Sequence, residues 1–310
     1  MPVGGVAAAL ILAVCLALLL GVCFGETRLA PGELLANPEV LKLRLVRALL
    51  AALVGGALAA SGAALQGLTG NPLADPYLLG AASGASVGAG AAILLGLSAT
   101  LWLPALAFFG AIGATALAFG LTRGASGRAG LLLAGIVVGS FLAALTNLLL
   151  SLAGQDTSRV LIWLLGWLGE ATWAQVAILA IAVPSSTFAL SRLGRGLDAL
   201  SFGEETALAV GVDVARLRTL TVFLTALLTA VAVAFSGVIG FVGLLAPHGV
   251  RALIGPSHRP LVPLSALLGG ALLTLADLLS RAVLPGIPLP IGVVTALLGA
   301  PLFALLLRRT

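Results

Sequence analysis

Apolar residues run along this chain in long unbroken stretches, divided by short turns rich in Gly, Pro and Arg. A helix needs about 20 apolar residues to cross a bilayer. Stretches of that order occupy 3–24, 48–69, 79–97, 101–121, 130–153, 174–190, 217–254, 261–280 and 290–307. A shorter apolar piece, 159–168, flanked by Gly154 and Gly169, is too short to span and is expected at an interface. The run 217–254 is too long for one crossing and is interrupted at Ser236-Gly237 and again at Ala246-Pro247.

Charge decides how that run is counted. Loops on the cytoplasmic side carry the excess of Lys and Arg. Arg192, Arg195 and Arg216 precede it, Arg251 and Arg259 flank the following turn, and Arg308 and Arg309 end the sequence given. Two crossings put all three groups on one side, whereas one crossing strands the middle group. The expectation is therefore ten spanning helices with both ends cytoplasmic, and with ten basic residues inside against six outside. The six are Arg28, Lys42, Arg44, Arg47, Arg159 and Arg281. Arg123 and Arg128 fall inside.

Composition agrees. Of 310 residues, 60% are hydrophobic and only 9% charged, against about 25% charged in a soluble domain. The 40 glycines suit helices that must approach closely in lipid. The net charge of +5 comes from scattered arginines, without the basic stripe and stacking aromatics of a nucleic-acid surface. Cys15 and Cys23 lie about 12 Å apart on one helix, too far for a disulfide. The first apolar run is too long for a signal peptide and lacks its positive start.

No G-x-x-x-x-G-K-[ST] phosphate loop is present, so ATP hydrolysis is not expected from this chain. His248 and His258 lack the spacing of metal ligands on a helix, and neither a metal nor a cofactor is expected. Asp75 and Asp277 are the acids nearest the membrane interior. An acid at such depth raises the possibility of a proton relay, and with it a self-contained secondary transporter. Arg281 follows Asp277 at i+4, and the ion pair is the favoured reading. Trp163, Trp167 and Trp173 are placed as anchors at the outer interface.

Three stretches carry a resemblance. They are LRLVRALLAALVGGALAASGAALQGLTGNPLADPYLLGAASG over Leu43–Gly84, the segment Gly237–Arg281 containing GFVGLLAPHGVRALIGPSHRP, and LPIGVVTALLGAPLF over Leu289–Phe303. Together they resemble the FecCD-type permeases, which import iron-siderophores, haem or vitamin B12. Two positions depart from the family pattern: Val46 stands where a Pro usually precedes the second Arg, and Pro288 where a Glu often precedes LPIG.

The resemblance implies an all-α, type II importer permease fold of about ten helices in a single membrane domain over 1–310. It implies a homodimer in a bacterial or archaeal cytoplasmic membrane, two copies of a separate ATPase on the cytoplasmic face, and a substrate-binding protein outside. Arg44, Arg47 and Arg281 would meet acidic residues of that binding protein, and an outer arginine cluster calls for such a reason. The turn Asn71-Pro72-Leu73-Ala74-Asp75-Pro76 follows the second span, and Asn71 and Leu73 would line an inner gate.

The longest cytoplasmic loop contains LDALSFGEETALAVGVDVARLR over 197–218, and the part that couples to the ATPase is set at 197–216. Its candidate contacts are Ser201, Gly203, Glu204, Glu205, Ala207, Gly211 and Asp213. Ser201 and Glu204 fit a capping box, which starts a short helix near Phe202. Gly211 ends that helix and Asp213 caps the next.

Overall fold

The computed structural model describes residues 2–25, 31–122, 128–284 and 288–307. Arg28, Arg123, Arg308 and Arg309 lie outside the described residues. Thirteen α-helices and two short 3-10 turns, with no strand, make up the described residues. Seven helices are long and apolar enough to cross a membrane. These are α1 (Val3–Cys23), α3 (Pro38–Thr69), α5 (Trp102–Leu121), α6 (Arg128–Leu152), α8 (Trp173–Ser201), α10 (Val214–Ser236) and α12 (His258–Ala282). Three shorter apolar helices, α4 (Ala81–Leu94), α11 (Val242–Ile254) and α13 (Ile291–Leu307), complete a set of ten. Three small helices remain: α2 (Pro31–Ala36), α7 (Thr157–Leu164) and α9 (Glu204–Ala209).

Helix α3 forms the axis of the fold. It is 32 residues long, and 83% of its most apolar window is buried. Helices α1, α8, α10, α11 and α12 all pack on it. Lipid gives these surfaces no hydrophobic reason to associate, so van der Waals contact must do it, and small residues permit the closest approach. A Cβ on Gly55 would run into the carbonyl of Gly269 in α12, and one on Gly62 into the carbonyl of Gly243 in α11. Ser61 adds a hydrogen bond of 3.2 Å to the Thr225 carbonyl in α10. Helices α4 and α5 pack closely together, α6 lies against α4, and α10 joins this group to the rest.

Helix bounds differ from the apolar runs where polar residues sit on helices. Helix α3 begins at Pro38 because Glu39, Lys42, Arg44 and Arg47 are helical though not apolar. Helix α8 continues to Ser201 through Arg192 and Arg195. Its start is fixed by Thr172 and Gln175, which cap each other's backbone N–H groups. The run 79–97 yields only the 14 residues of α4, about 21 Å of helix, preceded by a 3-10 turn at Pro76–Leu79.

The run 217–254 divides into α10 and α11, and contacts at its two ends fit two crossings. Near the start of α10, Arg218 pairs with Glu204 of α9 at 3.1 Å. After α11, His258 pairs with Asp198 of α8 at 2.6 Å. The chain thus leaves and returns to the same face. Between the two helices, residues 237–241 are irregular, and Phe241 takes a left-handed φ of 68°, the sole non-Gly case among the described residues. Non-helical backbone at this depth must be satisfied by protein. The Tyr77 hydroxyl accepts from the Ile239 N–H and donates to the Ile239 carbonyl, both at 3.1 Å. A cysteine placed at Ser257 is expected to react with a membrane-impermeant maleimide from the cytoplasmic side only. Labelling of intact cells from outside would refute the double crossing.

Candidate functional site

The face holding Arg44, Arg47 and Arg281 is built around one carboxylate. Asp277, fully buried in α12, receives Arg47 of α3 at 2.9 Å on Oδ1 and Arg281 at 3.0 Å on Oδ2. Arg281 also donates to the Gly21 carbonyl at 3.3 Å. Arg44 donates to the Val22 and Cys23 carbonyls at 3.3 and 3.0 Å. Both guanidiniums therefore serve the C-terminal carbonyls of α1, which no helical N–H reaches. Arg47 stacks over Trp167 at 5.6 Å. Its side chain is 15% exposed, against 6% for that of Arg281.

The Asp277–Arg281 pair expected from the i+4 spacing is present, and the structure adds Arg47 as a second partner. The arginines turn inward: Arg44 and Arg281 are buried, and Arg47 is partly so. Sequence spacing showed only the local pair; Arg47 lies 230 positions from Asp277. Trp163 and Trp167 are more than lipid anchors. They line an outward cavity of about 500 Å³ together with Arg159, Glu170, Pro288 and Pro290. Trp173 is exposed.

On the opposite face, the Asn-Pro turn is an Asx turn. Asn71 Oδ1 accepts from the Leu73 N–H at 2.9 Å, and Gly70 before it is left-handed at φ 64°. Leu73 is 44% exposed. Behind the turn, buried Gln66 reaches the carbonyls of Ala74 and Gly243 at 3.5 and 3.3 Å, and its Oε1 accepts from Arg251 at 2.9 Å. Gln66 thus ties the turn to α3 and α11, a role that hydropathy could not reveal.

The segment after α8 departs from the expected capping box. The Ser201 hydroxyl bonds back to the Asp198 carbonyl at 2.6 Å and closes α8 instead of opening α9. Gly203, at φ 114°, makes the turn, and α9 starts at Glu204. Gly211 follows α9 at φ 82°, and Asp213 caps α10 by accepting from the Arg216 N–H at 2.9 Å, both as expected. Ala207 is the buried residue of α9. Glu204 is tied to Arg218, and Glu205 is exposed. Phe202, Leu208 and Val210 stand out from this knob at 79%, 57% and 66% exposure.

Asp198 links the knob to the bundle. Its carboxylate accepts from the His258 N–H at 2.8 Å and the Ser257 hydroxyl at 3.2 Å, and it pairs with His258 Nδ1. It thereby caps α12 from a neighbouring helix. The His258 ring lies against Gly67 of α3, where a Cβ would come within 2.6 Å of Nε2. Neither residue was singled out as functional from the sequence, because their pairing spans 60 positions.

The bundle of about ten apolar helices, charged around a buried triad on one face and bearing a helical knob beside a tight turn on the other, is that of a multi-pass membrane protein. The sequence matches the FecCD transport family over residues 10–309. It is 44% identical to the uncharacterized ABC transporter permease YvrB of Bacillus subtilis, covering 87% of this chain and 78% of that one. It is 44% identical to the cobalamin import permease BtuC of Halobacterium salinarum, with 86% and 72% covered. Against the hemin transport permease HmuU of Yersinia pestis it is 40% identical, with 87% and 83% covered. The solved structure of a metal-chelate type ABC transporter in an inward-facing conformation superposes with a TM-score of 0.89 at 31% identity, over 99% of this chain and all of that one. PsaBC of Streptococcus pneumoniae, at 19% identity and a TM-score of 0.59, shares the fold. The chain belongs to the FecCD transport family. It is a multi-pass permease of the cytoplasmic membrane.

Removing Asp277 leaves two largely buried guanidiniums without their counter-charge, a change of about 3–5 kcal/mol when one partner of a buried pair is lost. Asp277→Ala is expected to lower the thermal unfolding midpoint of the purified chain strongly. Asp277→Ala combined with Arg47→Met should recover part of the loss. An unshifted midpoint in the single variant would show that the triad does not hold α3, α12 and α1 together.

Proposed function

We propose that this permease works as a homodimer, as one membrane domain per chain, with two separate ATPase subunits on its cytoplasmic face and a substrate-binding protein outside. The cargo class is an iron chelate, such as a siderophore complex or haem, or vitamin B12. The knob carries the reading. Phe202, Leu208 and Val210 are large apolar groups exposed on one short, otherwise polar segment, as an interaction site requires. Gly203 sets the angle of α9, Glu205 remains open to a partner, and Ser201, Glu204, Ala207, Gly211 and Asp213 hold the knob in shape. Hydrolysis of ATP belongs to the partner, since no phosphate loop occurs here. No cofactor is assigned to this chain.

The inner turn is the proposed gate. Leu73 projects from it, Asn71 fixes its backbone, and Gln66 connects it to α11. On the outer face, Arg47 is the surface contact of the proposed docking patch for the binding protein, with the buried Arg44 and Arg281 behind it. Arg47, the least buried of the two that hold Asp277, makes the first contact. Arg47 and Arg281 together exceed Asp277 by one positive charge, which favours a carboxylate on the partner. The cargo assignment rests on relatives named for cobalamin and hemin import.

Phe202→Asp with Leu208→Asp is expected to leave the fold intact, because both side chains are exposed, and to abolish co-purification of the ATPase subunit along with ATP-dependent uptake in proteoliposomes. Full assembly and uptake in this variant would refute the knob as the coupling surface. Arg47→Gln keeps Arg281 on Asp277. It should weaken binding-protein affinity by up to about fivefold at low salt, with less effect at high salt, as expected of a partly exposed pair. Unchanged affinity at low salt would remove Arg47 from the docking surface.

A further inference from the structure

A second cavity, of about 490 Å³, opens between α1, α3, α8 and α12 on the cytoplasmic half of the bundle. Val14, Leu53, Gly56, Val183 and Leu267 line its apolar part. Two helix prolines, Pro184 and Pro263, border it, and each removes a backbone donor from its helix. Phe188 and Ser191 line it toward the cytoplasmic end of α8.

Three further observations say what fills it. Thr187 lines the cavity and is only 7% exposed, and its buried hydroxyl has no hydrogen-bond partner. Arg192, exposed, lies over the Phe188 ring at 6.0 Å. Arg259, also exposed, is held beside the same end because Ser191 donates to its carbonyl at 2.7 Å. Among the described residues, neither arginine makes an ion pair with a carboxylate. Arg259 lies in the first turn of α12, where the helix dipole disfavours a cation.

The geometry points to a binding site for one anionic phospholipid of the inner leaflet, with an acyl chain in the cavity and its phosphate on Arg192 and Arg259. The spacing fits a lipid's own layout. Five residues of helix separate Thr187 from Arg192, about 7.5 Å along the axis, so Thr187 meets an ester carbonyl while the arginines meet the phosphate. Each arginine near an anionic headgroup contributes on the order of 1 kcal/mol.

Native mass spectrometry of the purified full-length chain can test this, with phosphatidylglycerol and phosphatidylcholine of identical chains as probes and glycerol phosphate as competitor. One phosphatidylglycerol should be retained per chain, about tenfold or more over phosphatidylcholine. Arg192→Gln with Arg259→Gln should abolish that preference. Val14→Trp, at the edge facing lipid, should fill the cavity and reduce retention of both lipids. Thr187→Val should weaken retention without changing headgroup preference. Equal retention of the two lipids by the unaltered chain, or an undiminished preference in the double arginine variant, would overturn the proposal. So would complete displacement by glycerol phosphate, which lacks the chains.

Discussion

In a bilayer, helices gain nothing by hiding apolar surface from one another, so close packing must hold this protein together. Everything else depends on how α3 meets that constraint. Its glycines let α12 and α11 approach to backbone contact at Gly55 and Gly62. With the helices so close, a few buried polar groups can bridge them. Arg47 reaches Asp277, Ser61 reaches Thr225, and Gln66 reaches Gly243. Each of these bonds starts on α3. The outer patch and the inner turn are thus two ends of one buried rod.

The two faces have different chemistry for a physical reason. The outer end gathers charge inside the protein, where Arg47 and Arg281 pair with Asp277, and Arg44 and Arg281 reach the carbonyls of α1. The inner end leaves apolar groups outside, on α9 beyond the bundle. A charged, partly screened surface suits a partner that must arrive and leave. Exposed apolar groups on a short helix tied to α10 by an ion pair suit one that stays attached.

Hydropathy and loop charge anticipated a set of about ten apolar helices, and local spacing and residue type anticipated the pairing of Asp277 with Arg281 and the caps at Gly211 and Asp213. What stayed hidden has a common cause. Ser201 fits a capping box by spacing, but α8 runs on through Arg192 and Arg195 and uses the hydroxyl to close itself. Amphipathic helix beyond the membrane edge looks like loop to a hydropathy window. The other omissions, Arg47 with Asp277, Asp198 with His258 and Gln66 with Arg251, join positions far apart in the chain. Local spacing carries no information about such pairs.

Tyr77 shows how much can rest on one atom that a hydropathy profile barely registers. Its hydroxyl answers both the amide and the carbonyl of Ile239, a task usually shared between two neighbouring backbone groups. A phenylalanine there would fill the same volume and score as a better membrane residue. It would also leave two main-chain dipoles facing hydrocarbon at the break between α10 and α11. In a chain this apolar, the substitutions that look most conservative by class are those that remove a lone oxygen.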